Sequence, residues 1–189
     1  MSRFADLLAC AGVREETELR SRVGFMAIHG GSLERGTAEI ATAAAAAGGA
    51  SLYAVEQPAD LRWHLPSHLI GPESSSALAA FLDHVEIVVS IHGYGRHGWW
   101  TRILAGGADR DVATRVAADL RTSLPDFEVV DEIERIPREL RGLHPSNPVN
   151  RARRGGVQLE LPPRIRGIGP NARPEATQAL VDALAMVAA

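Results

Sequence analysis

Two apolar runs in this chain end on the same pair of residues. Residues 22–28 (RVGFMAI) lead straight into His29-Gly30, and residues 85–91 (VEIVVSI) lead into His92-Gly93. Runs of this length and β-branched content suit buried strands of a sheet covered on both faces. A histidine at the end of such a strand is a costly placement unless something binds it. A third run, residues 157–161 (VQLEL), is entered through Gly155-Gly156 and carries Glu160 among apolar residues. Its period of two sets Gln158 and Glu160 on one face and Val157, Leu159 and Leu161 on the other.

Between these runs the pattern alternates. Residues 37–47 are an alanine-dominated helix stopped by Gly48-Gly49, and residues 50–55 form a second strand. Residues 72–83 fit a helix and residues 99–104 a strand before Gly106-Gly107. Helical spacing runs over 109–123, with Asp109 placed to cap it, and residues 127–130 make a short strand. Residues 174–188 close the chain as a helix with proline in its first turn. The N-terminal stretch reads as one small helix. Strands alternating with helices predict an α/β fold: an open mixed sheet with helices on both faces, built as a single domain over residues 1–189. Residues 142–156 (GLHPSNPVNRARRGG) are too long for a routine connection and form either a binding loop or a mobile segment.

Composition removes several classes. No apolar stretch approaches the ~20 residues of a membrane span. The N-terminal apolar patch is short and runs into Arg14, Glu15 and Glu16, unlike a secretory leader, so the expected compartment is the cytoplasm. The single cysteine, Cys10, excludes an internal disulfide and a thiolate metal cluster. A net charge of −3 with no contiguous basic stripe argues against nucleic-acid binding. All 20 basic residues are arginine, the side chain whose fork suits carboxylates.

The strand-end residues suggest chemistry. His29 and Glu34 lie five apart across a Gly-Gly turn that can bring both to one ion, and His92 would join from a distant strand. Two histidines and a glutamate with an open fourth position are the ligands of a catalytic zinc site. Glu160 beside such a site would act as general base. The alternative for each histidine is a bond to a nearby backbone carbonyl, and for Glu160 a solvent-facing edge strand. Arg151, Arg153 and Arg154 in the long loop, and Arg164 and Arg166 after the third run, are either a solvated surface or a clamp for a substrate carboxylate. His64 and His68 flank Pro66 without regular geometry. His84, His97 and His144 read as structural or surface residues, and Trp99-Trp100 as a packing feature.

The segments AIHGGSLERGTAEIA, SIHGYG, Gly106-Gly107 and NPVNRARRGGVQLELP, in that order, resemble the phage-derived poly-γ-glutamate hydrolase family, also labelled phage-related replication proteins. The resemblance runs over residues 23–166. It implies a zinc-carboxypeptidase-like α/β fold and a zinc-dependent amidohydrolase that cuts γ-glutamyl amide bonds of an acidic polymer or peptide. By the same resemblance, His29, Glu34 and His92 hold Zn²⁺ and Glu160 is catalytic. His64 in WHLPS is similar to a family segment in which threonine stands at the position of Pro66, and it is expected among the substrate-binding residues. Asn150-Arg151 is similar to the substrate-carboxylate binders of zinc carboxypeptidases, with Arg164 as a further arginine for that task. A monomer or weak oligomer is expected. Other amides, such as peptidoglycan peptides or N-acyl amino acids, and a non-enzymatic nucleic-acid-binding role in phage replication remain the rival readings.

Overall fold

The computed structural model describes residues 3–188; Met1, Ser2 and Ala189 of the expected domain lie outside the described residues. Its centre is a seven-stranded mixed sheet in the order β1-β3-β2-β4-β7-β5-β6. The strands are β1 (Arg14–Glu18), β2 (Val23–Gly31), β3 (Ser51–Gln57), β4 (Ile87–Gly93), β5 (Arg102–Gly106), β6 (Glu128–Val130) and β7 (Gly156–Leu161). β3, β2, β4 and β7 run parallel to one another, while β1 is antiparallel to β3 and β5 is antiparallel to β7. The mixed sheet expected from the sequence is thus present.

Side chains alternate between two cores. Phe25, Ala27, Leu52, Ala54, Val89, Ile91, Val157, Leu159 and Leu161 face α2 (Thr37–Gly48), α4 (Arg110–Ser123) and α5 (Pro174–Ala188). Met26, Ile28, Tyr53, Val55 and Val88 face α1 (Arg3–Leu8) and α3 (Ser76–His84) on the other side. Burial on both faces accounts for the near-continuous apolar runs of the parallel strands. The residues opposite the β7 leucines are Gln158 and Glu160, as the period of two requires.

Several local expectations are corrected. The N-terminal helix ends at Leu8, and REETE instead forms edge strand β1. Its charges concealed it, yet charged side chains are what an exposed edge carries. Glu15 of that strand accepts from Tyr53 Oη at 2.6 Å and from Ser75 Oγ. The helix expected from residue 72 begins at Ser76, because Ser75 Oγ accepts from the Leu78 N–H at 2.9 Å and caps it. β5 starts at Arg102, after Trp99 and Trp100, and the expected cap by Asp109 on α4 is made at 3.0 Å.

The sheet also places the site. His29-Gly30-Gly31 continues β2 where a turn was expected. Pairing with β3 shifts between Ala27 and Gly30, so three residues of β2 are matched by two of β3. This bulge breaks the alternation. His29 consequently lies with its ring centroid 5.1 Å from that of His92.

Candidate active site

The carboxyl ends of β2, β4 and β7 meet at the floor of a cleft of about 630 Å³. Its lining includes His29, Glu34, His64, His92, Asn147, Gln158 and Glu160, with Arg138 and His144 on the walls. This is where ligands collect on open α/β sheets.

Glu34 is drawn in by the turn after β2. Its N–H donates to His29 O at 2.9 Å, and Thr37 Oγ1 at the start of α2 donates to Glu34 O at 2.7 Å. Its carboxylate then lies between two histidines, with Oε1 3.1 Å from His29 Nδ1 and Oε2 3.4 Å from His92 Nδ1. The Gly93 N–H donates to Oε2 at 2.8 Å. Burial pushes the Glu34 carboxyl up, but His92 and His29 outweigh it and hold the group well below the usual carboxylate range.

His29 Nε2 lies 2.8 Å from Leu65 O, an atom that only accepts, so Nε2 carries the proton. In a neutral ring Nδ1 then presents its lone pair to the Glu34 carboxylate. Two acceptors facing each other at 3.1 Å are reconciled by a second proton or by a cation between them. Burial lowers the His29 pKa, yet Glu34 and Leu65 O raise it further and the net direction is up. His92 Nε2 is buried and, among the described residues, has no hydrogen-bond partner. His64, on the exposed side of the cleft, has its ring 4.9 Å from that of His29, and donor atoms of His29, Glu34 and His64 all lie within 4.8 Å of one another. Burial and the neighbouring His29 push the His64 pKa down, which favours the neutral ring that a metal needs. The donor set fits a zinc ion.

Glu160 stands across from His92 in the β4–β7 register and is only 4% exposed. The edge-strand alternative fails, because β7 lies between β4 and β5. Gln158 Nε2 donates to Glu160 Oε1 at 2.9 Å, and Asn147 Nδ2 donates to Gln158 Oε1 at 2.8 Å, which fixes the amide orientation. Burial and the nearby Glu34 raise the Glu160 carboxyl well above its ordinary value, against smaller opposing effects from Gln158 and Arg166.

The structure thus gathers His29, Glu34, His92, His64 and Glu160. Asn150, Arg151 and Arg164 do not line the cleft. Asn150 spends its amide on the long loop, donating to Gly142 O at 2.7 Å and His144 O at 3.0 Å and accepting from the Ala108 N–H at 3.0 Å. Arg151 faces Glu73 at 3.4 Å on the surface, and among the described residues Arg164 forms no ion pair with a cleft-lining residue. The loop at 142–156 is held by its two asparagines, and its first half forms a cleft wall. One arginine of consequence, Arg138, was not singled out in the sequence, and another, Arg166, was named there only with Arg164 as a candidate carboxylate clamp. Arg138 lines the cleft, and Arg166 lies close enough to Glu34 and Glu160 for their charges to act on it. Arg138 opens a single 3-10 turn and Arg166 sits in an irregular segment, and in neither does a periodicity say which way a side chain points.

Comparison with known proteins bears on the family and the fold. The family model described as poly-gamma-glutamate hydrolase matches residues 10–169. The SPbeta prophage-derived UPF0714 protein YoqZ of Bacillus subtilis (strain 168) is 30% identical over 147 residues, 77% of this chain and 50% of that protein. The chain therefore spans about half the length of that relative. A solved bacteriophage poly-gamma-glutamate hydrolase superposes with a TM-score of 0.71 at 21% identity, over 94% of this chain and 91% of the other. A structure described as zinc-free YNDL gives 0.73 at 24% identity, over 93% and 88%. At lower identity the fold is shared with carboxypeptidases. Among the described residues, no helix is long and apolar enough to cross a membrane.

Proposed function

The chain belongs to the poly-gamma-glutamate hydrolase family, and from that premise we propose that it is a zinc-dependent amidohydrolase cleaving γ-glutamyl amide bonds, with poly-γ-glutamate as substrate. The observation that carries this reading is the placement of Glu34 between His29 and His92, with Glu160 across the strand pair from His92.

His29, Glu34 and His92 would hold the ion, the two histidines each presenting Nδ1 to a Glu34 oxygen, and His64, whose donor atom groups with those of His29 and Glu34, is within reach from the open side. When bound, zinc acidifies a water to a pKa of about 7 and polarises the scissile carbonyl. Leu65 O fixes the His29 tautomer, and the Gly93 N–H orients Glu34, the kind of support that metal ligands require. Glu160 takes a proton from the attacking water as its oxygen bonds to the carbonyl carbon, then delivers that proton to the amide nitrogen as the C–N bond breaks. A raised pKa suits both halves of that shuttle, since the carboxylate is a stronger base and its acid form survives nearer neutral pH. Gln158 and Asn147 hold the carboxyl in place during the exchange. A glutamyl carboxylate entering the cleft meets Arg138, the arginine of its wall.

The test is hydrolysis of poly-γ-glutamate, followed by loss of chain length and appearance of free amine. A chelator should abolish it and zinc restore it. Cleavage of muropeptides or N-acyl amino acids in place of the polymer would move the reading to another amide. No hydrolysis of any amide by the zinc-loaded chain would end it.

A further inference from the structure

Arg166 lies five residues beyond the end of β7, in the segment that leads to α5. Its guanidinium donates in three directions: Nε to Leu161 O at 3.1 Å, Nη1 to Arg35 O at 2.7 Å and Nη2 to Tyr94 O at 3.3 Å. The three acceptors share one property. Arg35 follows Glu34, Tyr94 comes two residues after His92, and Leu161 follows Glu160. A single planar group therefore bonds the backbone of each segment that supplies a carboxylate or the second histidine to the site.

Two glycines let the chain approach so closely. A Cβ on Gly93 would lie 2.6 Å from both the guanidinium carbon and Nη1 of Arg166. Gly36, at φ +86°, would place a Cβ 2.6 Å from Arg166 O. Among the described residues no hydrogen bond joins the guanidinium to the side chain of Glu34 or Glu160, so its grip is on the backbone.

We propose that Arg166 is the positioning residue of the site, a three-way clamp holding the Glu34 turn, the His92-Gly93 strand end and the Glu160 strand end in one register. Only a fork with several donors in fixed directions can do this; a lysine offers the same charge from one point. The catalytic half of the proposal rests on the hydrolase reading above. Its structural half does not.

The experiment compares the wild-type chain with Arg166→Lys and Arg166→Met, after circular dichroism has established that each folds. In the metal-free protein, the clamp predicts that amide hydrogen exchange accelerates together in the peptides carrying Glu34 and Gly93, while the peptide of residues 23–27 is unchanged. With zinc, the dissociation constant should weaken by about 10–100-fold in both variants, with no rescue by lysine. On poly-γ-glutamate, kcat should fall while KM stays within about twofold. Should the Arg166 variants not fold, Gly93→Ala displaces the guanidinium while keeping its charge and is read in the same way. Unchanged exchange in Arg166→Lys, zinc affinity restored by lysine, or an effect confined to KM would each overturn the clamp. A wild-type chain that takes up no zinc would defeat the hydrolase reading instead, and the exchange result would still decide the clamp.

Discussion

His92 and Glu160 face each other as register partners on the parallel strands β4 and β7, both almost fully buried at the carboxyl end of the sheet. The side-chain period of two then sends both to the same face, toward Glu34. A one-residue slip of either strand would turn its residue into the opposite core. Sheet register is thus what couples a candidate metal ligand to a candidate proton acceptor, although 68 positions of chain separate them.

Glu160→Gln keeps the size of the side chain and removes its capacity to take a proton. Turnover should fall by about 10²–10⁴-fold, the range for loss of a general base. Zinc content should stay at the wild-type level, because Glu160 is outside the proposed ligand set. Steady-state kinetics with metal analysis checks both. A variant of undiminished rate would remove Glu160 from the mechanism.

Arg138→Ala tests the cleft wall. Loss of a carboxylate contact made equally in the ground and transition states raises KM and leaves kcat alone. The expected rise is about tenfold, corresponding to about 1.4 kcal/mol of binding. Arg151→Ala and Arg164→Ala, whose side chains do not line the cleft, should leave both constants unchanged. Equal KM changes in all three variants would point to a diffuse surface charge.

Acid stability has a separate handle in Asp131. Burial pushes its carboxyl up, but the hydrogen bonds from Arg121 and Thr114 and the Arg121 charge together outweigh this, and the folded-state pKa is lowered. A lowered folded value means that the stabilisation is complete above the unfolded pKa of about 3.9 and is lost as pH falls through the folded value. Arg121→Gln should therefore be less stable than wild type at neutral pH, and the gap should close on acidification. Urea midpoints across the acid range measure it. A gap that persists at the acid end would assign the effect to the Arg121 contact with Val129 O instead.

Much of this site was legible in the sequence, for identifiable reasons. His29, His92 and Glu160 stand at the ends of apolar runs, where an ionisable group is conspicuous. Helices α2, α4 and α5 declared themselves by composition, spacing and caps. What stayed hidden depends on contacts between distant segments. Edge strand β1 has the polarity of a loop. The bulge that turns His29 toward His92 follows from pairing with β3, and β2 alone carries no mark of it. Asn150 drew notice as a carboxylate binder, yet backbone groups of its own loop and of Ala108 claim its amide. Arg166 was one of several arginines in an irregular stretch until three backbone carbonyls identified it.

The central claim is that Glu34, between His29 and His92, completes a zinc site. Calorimetric titration of zinc into the metal-stripped chain, beside the Glu34→Gln variant, tests it most directly. The account predicts binding of one ion per wild-type chain and its loss in the variant. Absence of zinc uptake by the wild type, or equal uptake by both proteins, would contradict it.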